Sequence, residues 1–485
     1  MTLTETEGLY LLLAFGVSMI ALVWFKTDTE RSAEGFLAAD RQLPMWQGAF
    51  SIAISWVWAP ALFICSMQAY TLGLPGIFWF TAPNIVCFFV FAPIAIRLRR
   101  LMPMGYTLPQ FIHERFEGNK PIHLLFLAGF FLTMVAALVA NAYAGGILLN
   151  QVSGVDVQTA IVSMFVIALA YSLISGLKAS VFTDVIQMAL VLGLAFIIVP
   201  WCLSEVEGFK TVSRGLVGIE GIHGNFMDPR IAWIMGVPMT IALITGPVAD
   251  QMFFQRAMAV KFKDIVKTFV YGGLIFGLVP ICLSLLGFIG VELANEGRIV
   301  VDNPEMIGPI VIGALLPKSA LYAFVFMAFA GLCSTLDSAF CGISSLGGVD
   351  IYQRYFRPNA KDKRLLRASR FFMIGSAFAG LGIALLEPSM LWTFMITGSI
   401  TAALFFPIAF ALFWKKVTRQ GVFWAVLLSL LIGIPYSIDA NISDDVDKIA
   451  YAAIISVGIG LLVCLVSGFT NKNEGFDFDK LGNSS

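Results

Sequence analysis

The chain is short of charge. Only 13% of its 485 residues are Asp, Glu, Lys or Arg, about half of what a soluble domain carries. Histidine is nearly absent: His113, His123 and His223 are dispersed, so no zinc, haem or nucleophile–base motif can be assembled. The seven cysteines, Cys65, Cys87, Cys202, Cys282, Cys333, Cys341 and Cys464, lie in or beside apolar segments with no ligand-like spacing and read as small core residues. No sign of charge is in excess: 31 basic and 31 acidic residues give a net charge of zero, which leaves no footprint for a nucleic acid. The first seven residues hold Glu5 and Glu7 and no Lys or Arg, so no cleavable signal peptide is expected. No polar stretch is long enough to fold as a soluble domain.

What is abundant is apolar sequence. Hydrophobic residues make up 58% and mean hydropathy is +0.85. They come in blocks of about twenty, the length of a membrane-spanning helix. The short alternating strands of a β-barrel are missing, and helices are the other way to satisfy backbone groups in lipid. The pattern predicts an all-α integral membrane protein with about 13 spans, near 8–25, 46–70, 75–97, 122–149, 157–175, 179–202, 231–249, 266–291, 319–344, 369–386, 391–414, 420–438 and 448–468. The apolar stretch 304–316 is too short to span and reads as an outer loop helix. The segment 204–230 is too polar.

Loop charge sets the expected orientation. With the N-terminus outside, 25 of the Lys and Arg residues fall on inner segments; Lys210, Arg214, Arg230, Arg298, Lys318 and Lys448 are the six outside. This places the C-terminus in the cytoplasm, in a multi-pass protein of the inner or plasma membrane. In this reading Arg256 belongs to an inner loop, and no Lys or Arg at membrane depth is available to pair an anionic solute.

Thirteen spans parse as an N-terminal extra helix with its inner loop (1–45), an inverted-repeat core of two five-helix sets (46–414), and two extra helices with a short tail (415–485). Inverted repeats of this kind recur in secondary transporters. The helix opening each set is punctuated, the first by Ser55 and Pro60, the second by Gly236, Pro238, Gly246 and Pro247. Pro and Gly free backbone groups that need another partner in a membrane, and a bound ion or solute is one such partner.

The ninth span carries Ser334, Thr335, Asp337 and Ser338 in a small-residue helix. An acid at membrane depth is costly and marks a functional site by default; hydroxyls and carboxylates are hard oxygen ligands suited to an alkali cation. Ala328–Tyr352 resembles the cation-binding helix of the sodium/solute symporter family. The resemblance extends along the chain: Phe36–Pro44 looks like that family's segment before the core, Thr107–Phe111 with Arg115-Phe116 like its inner loop, Tyr171–Gln187 like its "Y…GG…TDxxQ" block, Gln255-Arg256-Ala257 like its "QR" loop, Asp350-Ile351-Tyr352 like its "DIY" signature, and Phe413–Lys416 with Gly421 like a late "FWKR…G" segment. Asp40 stands where the family usually has Gly.

The resemblance implies a sodium-coupled symporter with the leucine-transporter-type fold. It implies a sodium site made by the carbonyls of Ala53, Trp56 and Gly331 and the hydroxyls of Ser334 and Thr335. Asp184, Asp337 and Ser338 are implied for a second cation or proton site. Sodium is the coupling ion; no organic cofactor is implied, and a monomer is expected to suffice. Ser55–Ala59 (Ser-Trp-Val-Trp-Ala) and Val248–Gln251 are similar to urea/sodium symporters of fungi and plants. Near the midplane Ser55, Trp56, Trp58, Asn84, Asn141, Thr245 and Gly246 are the expected solute-binding residues. Aromatic walls with few polar groups suit a small, flat, uncharged or zwitterionic solute, urea first, a small amino acid or a monocarboxylate otherwise. Proton coupling is the nearest alternative. A channel would need a continuous polar lining, a sensor an appended signalling domain, and an enzyme a nucleophile, metal set or acid/base pair; none is visible.

Overall fold

A computed structural model of the chain describes residues 3–27, 29–388, 390–443 and 445–482. Among these residues every extended regular element is helical, and one isolated bridge joins Leu43 to Val260. Among the described residues eleven helices are long and apolar enough to cross a membrane, against the thirteen expected. The difference has local causes. The expected span 46–70 starts as Met45–Trp56, a helix of only 12 residues. After a gap at Val57 and Trp58 the chain resumes in the run Pro60–Leu101, 42 residues that also hold the expected span 75–97. That run is broken at Gly73, where φ is 63° and ψ −144°, a backbone region open to glycine. A Cβ there would lie 2.2 Å from the Leu216 carbonyl oxygen. The expected span 369–386 lies on helix Asp362–Ala384, whose opening turns carry Lys363, Arg364, Arg367 and Arg370 and so lack the required apolarity.

Burial sorts the helices. The run Lys318–Phe356 is 78% buried over its most apolar window and sits at the centre, whereas Glu5–Lys26 (33%) and Val446–Thr470 (28%) lie at the periphery. Central placement explains the small residues of Lys318–Ser345. At Gly331 an added Cβ would lie 3.1 Å from both Leu62 Cδ1 and the Val57 carbonyl oxygen, so this helix packs directly against the first helix gap.

The second punctuated span also breaks. Helix Pro229–Ala249 ends in a tight 3-10 turn at Gly246–Ala249, Asp250 is extended (φ −122°, ψ 116°), and a new helix runs Gln251–Ala259. Pro247 cannot donate the backbone hydrogen bond that would carry the helix through. The two breaks meet. The Trp56 and Phe253 rings are 5.3 Å apart edge to face, and a Cβ on Gly246 would fall 2.7 Å from Trp56 Cη2. Glycine at 246 is what lets the indole of one broken helix enter the gap of the other.

Candidate functional site

The first break holds the carbonyls expected to face a cation. In a continuous helix the Trp56 carbonyl would accept from residue 60, but Pro60 has no N–H to give. Ala53 does accept, from the Val57 amide at 3.1 Å. Thr335 faces this break from the central helix: its hydroxyl lies 3.5 Å from the Ser55 carbonyl and 3.4 Å from that of Gly331. Both contacts are long for hydrogen bonds. The expected donors, carbonyls of Ala53, Trp56 and Gly331 with hydroxyls of Ser334 and Thr335, have the right hardness for an alkali cation, and of these the structure brings Thr335 and Gly331 into contact. Ser334 is turned differently, donating to Asp184 Oδ1 at 2.5 Å.

Asp184 is part of a charged knot that the sequence reading missed. Arg256 is fully buried, and its Nη2 lies 2.9 Å from Asp184 Oδ2. The same guanidinium donates to Ser51 Oγ at 2.7 Å, to Ser338 Oγ at 2.7 Å and to the Met252 carbonyl at 3.1 Å. Ser51 in turn donates to Asp184 at 2.5 Å. This corrects the expectation that Arg256 lies in an inner loop: it is buried and committed to Asp184. The misleading signal was its neighbourhood: Lys261, Lys263 and Lys267 follow within a few turns, but Arg256 points inward on a helix whose nine residues are all buried. Asp337 lies beside the knot. It accepts from Tyr171 at 2.6 Å and Ser180 at 2.5 Å, while Ser338 reaches Ser55 Oγ at 3.0 Å. Of the expected second-site residues, Arg256 bridges Asp184 and Ser338, and Asp337 adjoins them through Ser338 at 3.4 Å.

A small cavity lies between the two breaks, with ≈ 40 Å³ open to the centre of a water molecule. Four of the expected solute residues line it: Ser55, Trp56, Trp58 and Gly246. Three do not. Asn84 stands behind the wall and accepts from Trp56 Nε1 at 2.7 Å while donating to the Phe80 carbonyl at 2.8 Å. Asn141 accepts from the Ala59 amide at 2.9 Å and donates to the Ala137 carbonyl at 2.8 Å, so it ties down the first break. Thr245 turns to Thr401, with their hydroxyl oxygens 3.0 Å apart. The two amides are turned away from the cavity, Asn84 to the Trp56 indole and its own helix, Asn141 to the backbone of the first break. The wall is completed by Thr133, Asp250, Thr335, Thr397 and Thr401 with apolar neighbours. Asp250, Thr133, Thr397 and Thr401 were not foreseen. The Gly246-Pro247 break three residues upstream was the available signal for Asp250; the threonines gave none, because a helix threonine commonly bonds its own backbone.

A sequence profile described as the sodium:solute symporter family matches residues 36–429. The chain is 24% identical to a urea-proton symporter of Oryza sativa subsp. japonica, over 89% of this chain and 65% of that protein. It is 22% identical to a probable urea active transporter of Schizosaccharomyces pombe (90% and 70% covered) and 26% identical to sodium/glucose cotransporter 1 of Oryctolagus cuniculus (87% and 70%). The chain thus spans under two-thirds of the rice protein's length. A sodium-coupled sialic acid symporter in an outward-open state superposes with a TM-score of 0.78 at 17% identity, over 95% of this chain and 97% of the other. MhsT in complex with L-phenylalanine gives 0.52 at 14% identity, over 86% and 98%. At such identities these structures speak to the fold alone, and the fold is that of a leucine-transporter-like membrane transporter.

Proposed function

The chain belongs to the sodium:solute symporter family, and from that premise we propose that it imports a small polar nitrogen compound, urea first, driven by sodium entering with it. It is a solute symporter and no enzyme. The observation that carries the reading is the cavity held between two broken helices. Trp56 belongs to both functions: its indole walls the cavity and its carbonyl is left without a helix partner by Pro60. Solute and cation would then share a residue, which is a physical basis for coupling. Energetics permit a single ion. Sodium moving down about 100 mV supplies roughly 2.3 kcal/mol, and a tenfold gradient adds about 1.4 kcal/mol, enough for several-hundredfold accumulation of a neutral solute. The named urea relatives support the solute class, and the flat aromatic wall suits it.

The test is uptake of labelled urea by proteoliposomes with and without an inward sodium gradient. Gradient-dependent accumulation is expected. Thr335→Ala should raise the half-saturating sodium concentration about tenfold, and Ser334→Ala should raise it too. Sodium-independent uptake that follows an imposed pH gradient would instead favour a proton as the coupling ion, with Asp184 and Asp337 its carriers; the rice relative's description as a urea-proton symporter motivates that arm.

A further inference from the structure

Asp250 has no part in the cation set or the charged knot, yet it stands in the wall of the cavity and is only 7% exposed. Its Oδ1 caps helix Gln251–Ala259 by accepting from the Met252 amide at 2.7 Å. Among the described residues it has no ion pair. Arg256, on the same helix, is committed to Asp184, Ser51 and Ser338. Oδ2 takes no hydrogen bond among the described residues, and it is not among the sealed polar atoms that lack a partner. It opens on the cavity.

The hydroxyls around it share one property: each has a backbone carbonyl within reach of its proton. Ser55 donates to Ser51, Thr133 to Phe130 and Ala249, Thr397 to Thr393 and Thr401 to Gly398, at 2.7 to 3.0 Å, and Thr335 faces the Ser55 and Gly331 carbonyls. The Trp56 N–H is taken by Asn84. A hydroxyl whose proton is committed offers a lone pair. These groups therefore present acceptors around a carboxylate, over an indole face. A solute that fits must bring donors. An anion would meet a carboxylate and a ring of lone pairs.

We infer that Asp250 is the specificity residue of this cavity, accepting an N–H from the solute through Oδ2 and selecting compounds that carry –NH2 groups over carboxylates. This rests on the symporter reading above and narrows its solute class. Urea and acetamide satisfy it as neutral donors, guanidinium as a cationic one; the shared feature is N–H. It weighs against the monocarboxylate alternative.

The experiment uses the purified full chain in sodium, measuring thermal stabilisation by urea, acetamide, guanidinium and acetate, then repeating it with Asp250→Asn. Asparagine keeps a capping oxygen, so the helix start should survive. Sodium-dependent stabilisation checks that the fold is intact. The nitrogen compounds should stabilise the wild-type chain and acetate should not. Because hydrogen bonds to charged acceptors are the stronger ones, D250N should weaken binding of the preferred compound roughly ten- to a hundredfold with the sodium response unchanged. Preference between urea and guanidinium separates a neutral from a cationic solute. Three results would each overturn the assignment: acetate binding in preference to every nitrogen compound, none of the three nitrogen compounds binding, or D250N moving only the sodium dependence. If the wild-type chain binds urea and D250N does not, but no sodium gradient drives uptake, Asp250 keeps its role and the symport reading fails.

Discussion

At the scale of single residues, the interior is organised around one arginine. Arg256 is held by Asp184, Ser51, Ser338 and the Met252 carbonyl, so every arm of the guanidinium has a partner. Removing one member of such a buried pair leaves an uncompensated charge and costs about 3–5 kcal/mol. Arg256→Gln should lower the melting temperature sharply, and Asp184→Asn less, because Arg256 keeps three of its partners. The double variant Asp184→Asn/Arg256→Gln should be more stable than Arg256→Gln alone, since the stranded carboxylate is gone. A loss in the double variant equal to the sum of the two single losses would show that the two groups are not energetically coupled. This knot was half legible in the sequence. An acid at membrane depth announces itself in Asp184 and Asp337; its counter-charge was hidden because loop-charge reasoning counts arginines by segment, and Arg256 sits at the edge of a basic one.

At the scale of elements, Pro60 is where local chemistry reaches the site. It withholds one N–H, and the carbonyl left over belongs to Trp56. Pro60→Ala would return a donor that competes with a cation for that oxygen. The expected outcome is a severalfold rise in half-saturating sodium with solute affinity little changed at saturating sodium, measured by uptake. A second element-scale device lies just after the first helix. Glu30 receives Lys178 at 2.5 Å and the Ser32 amide at 3.0 Å, and Lys178 also reaches Asp40 at 2.6 Å. The bend after Glu5–Lys26 is thereby clasped to helix Leu177–Ser204. Burial alone would raise the Glu30 carboxyl, but the Lys178 and Ser32 bonds outweigh it and hold the group down from an ordinary 4.5 to about 2. A depressed carboxyl stabilises the fold above its unfolded value and loses that contribution as pH falls towards its folded one. The melting-temperature gap between wild type and Glu30→Gln should therefore stay constant from pH 7 to 5 and shrink below about pH 4.5. A gap that closes already between pH 7 and 5 would remove Glu30 from the clasp.

At the scale of the whole molecule, the helical class and both breaks were readable because they follow from hydropathy and from Pro and Gly at fixed places. The span count was not, because the gap after Trp56 and the kink at Gly73 cut residues 46–97 at other places than the hydropathy pattern does, and the basic opening turns of Asp362–Ala384 keep that helix out of the apolar set. The cavity wall was readable only in part: Trp56 and Trp58 stand out by size, whereas Asn84 and Asn141 look the same in sequence whether they face a solute or a backbone. Orientation is the remaining large-scale expectation, and it stands on the 25-to-6 bias of basic residues; moving the buried Arg256 out of the inner group changes that bias by one and leaves its direction intact. All seven native cysteines are buried, so a membrane-impermeant thiol reagent should meet little background. Asn225 lies in the segment between helices Leu177–Ser204 and Pro229–Ala249, and Asn359 in the basic turn between Lys318–Phe356 and Asp362–Ala384. These two sites belong to opposite sides in the proposed topology. In intact cells a cysteine at 225 should be labelled and one at 359 should be labelled only after permeabilisation. The reverse pattern would invert the whole arrangement, turning the Arg354–Arg370 cluster outward against the charge rule and placing the Glu30–Lys178 clasp on the outer face.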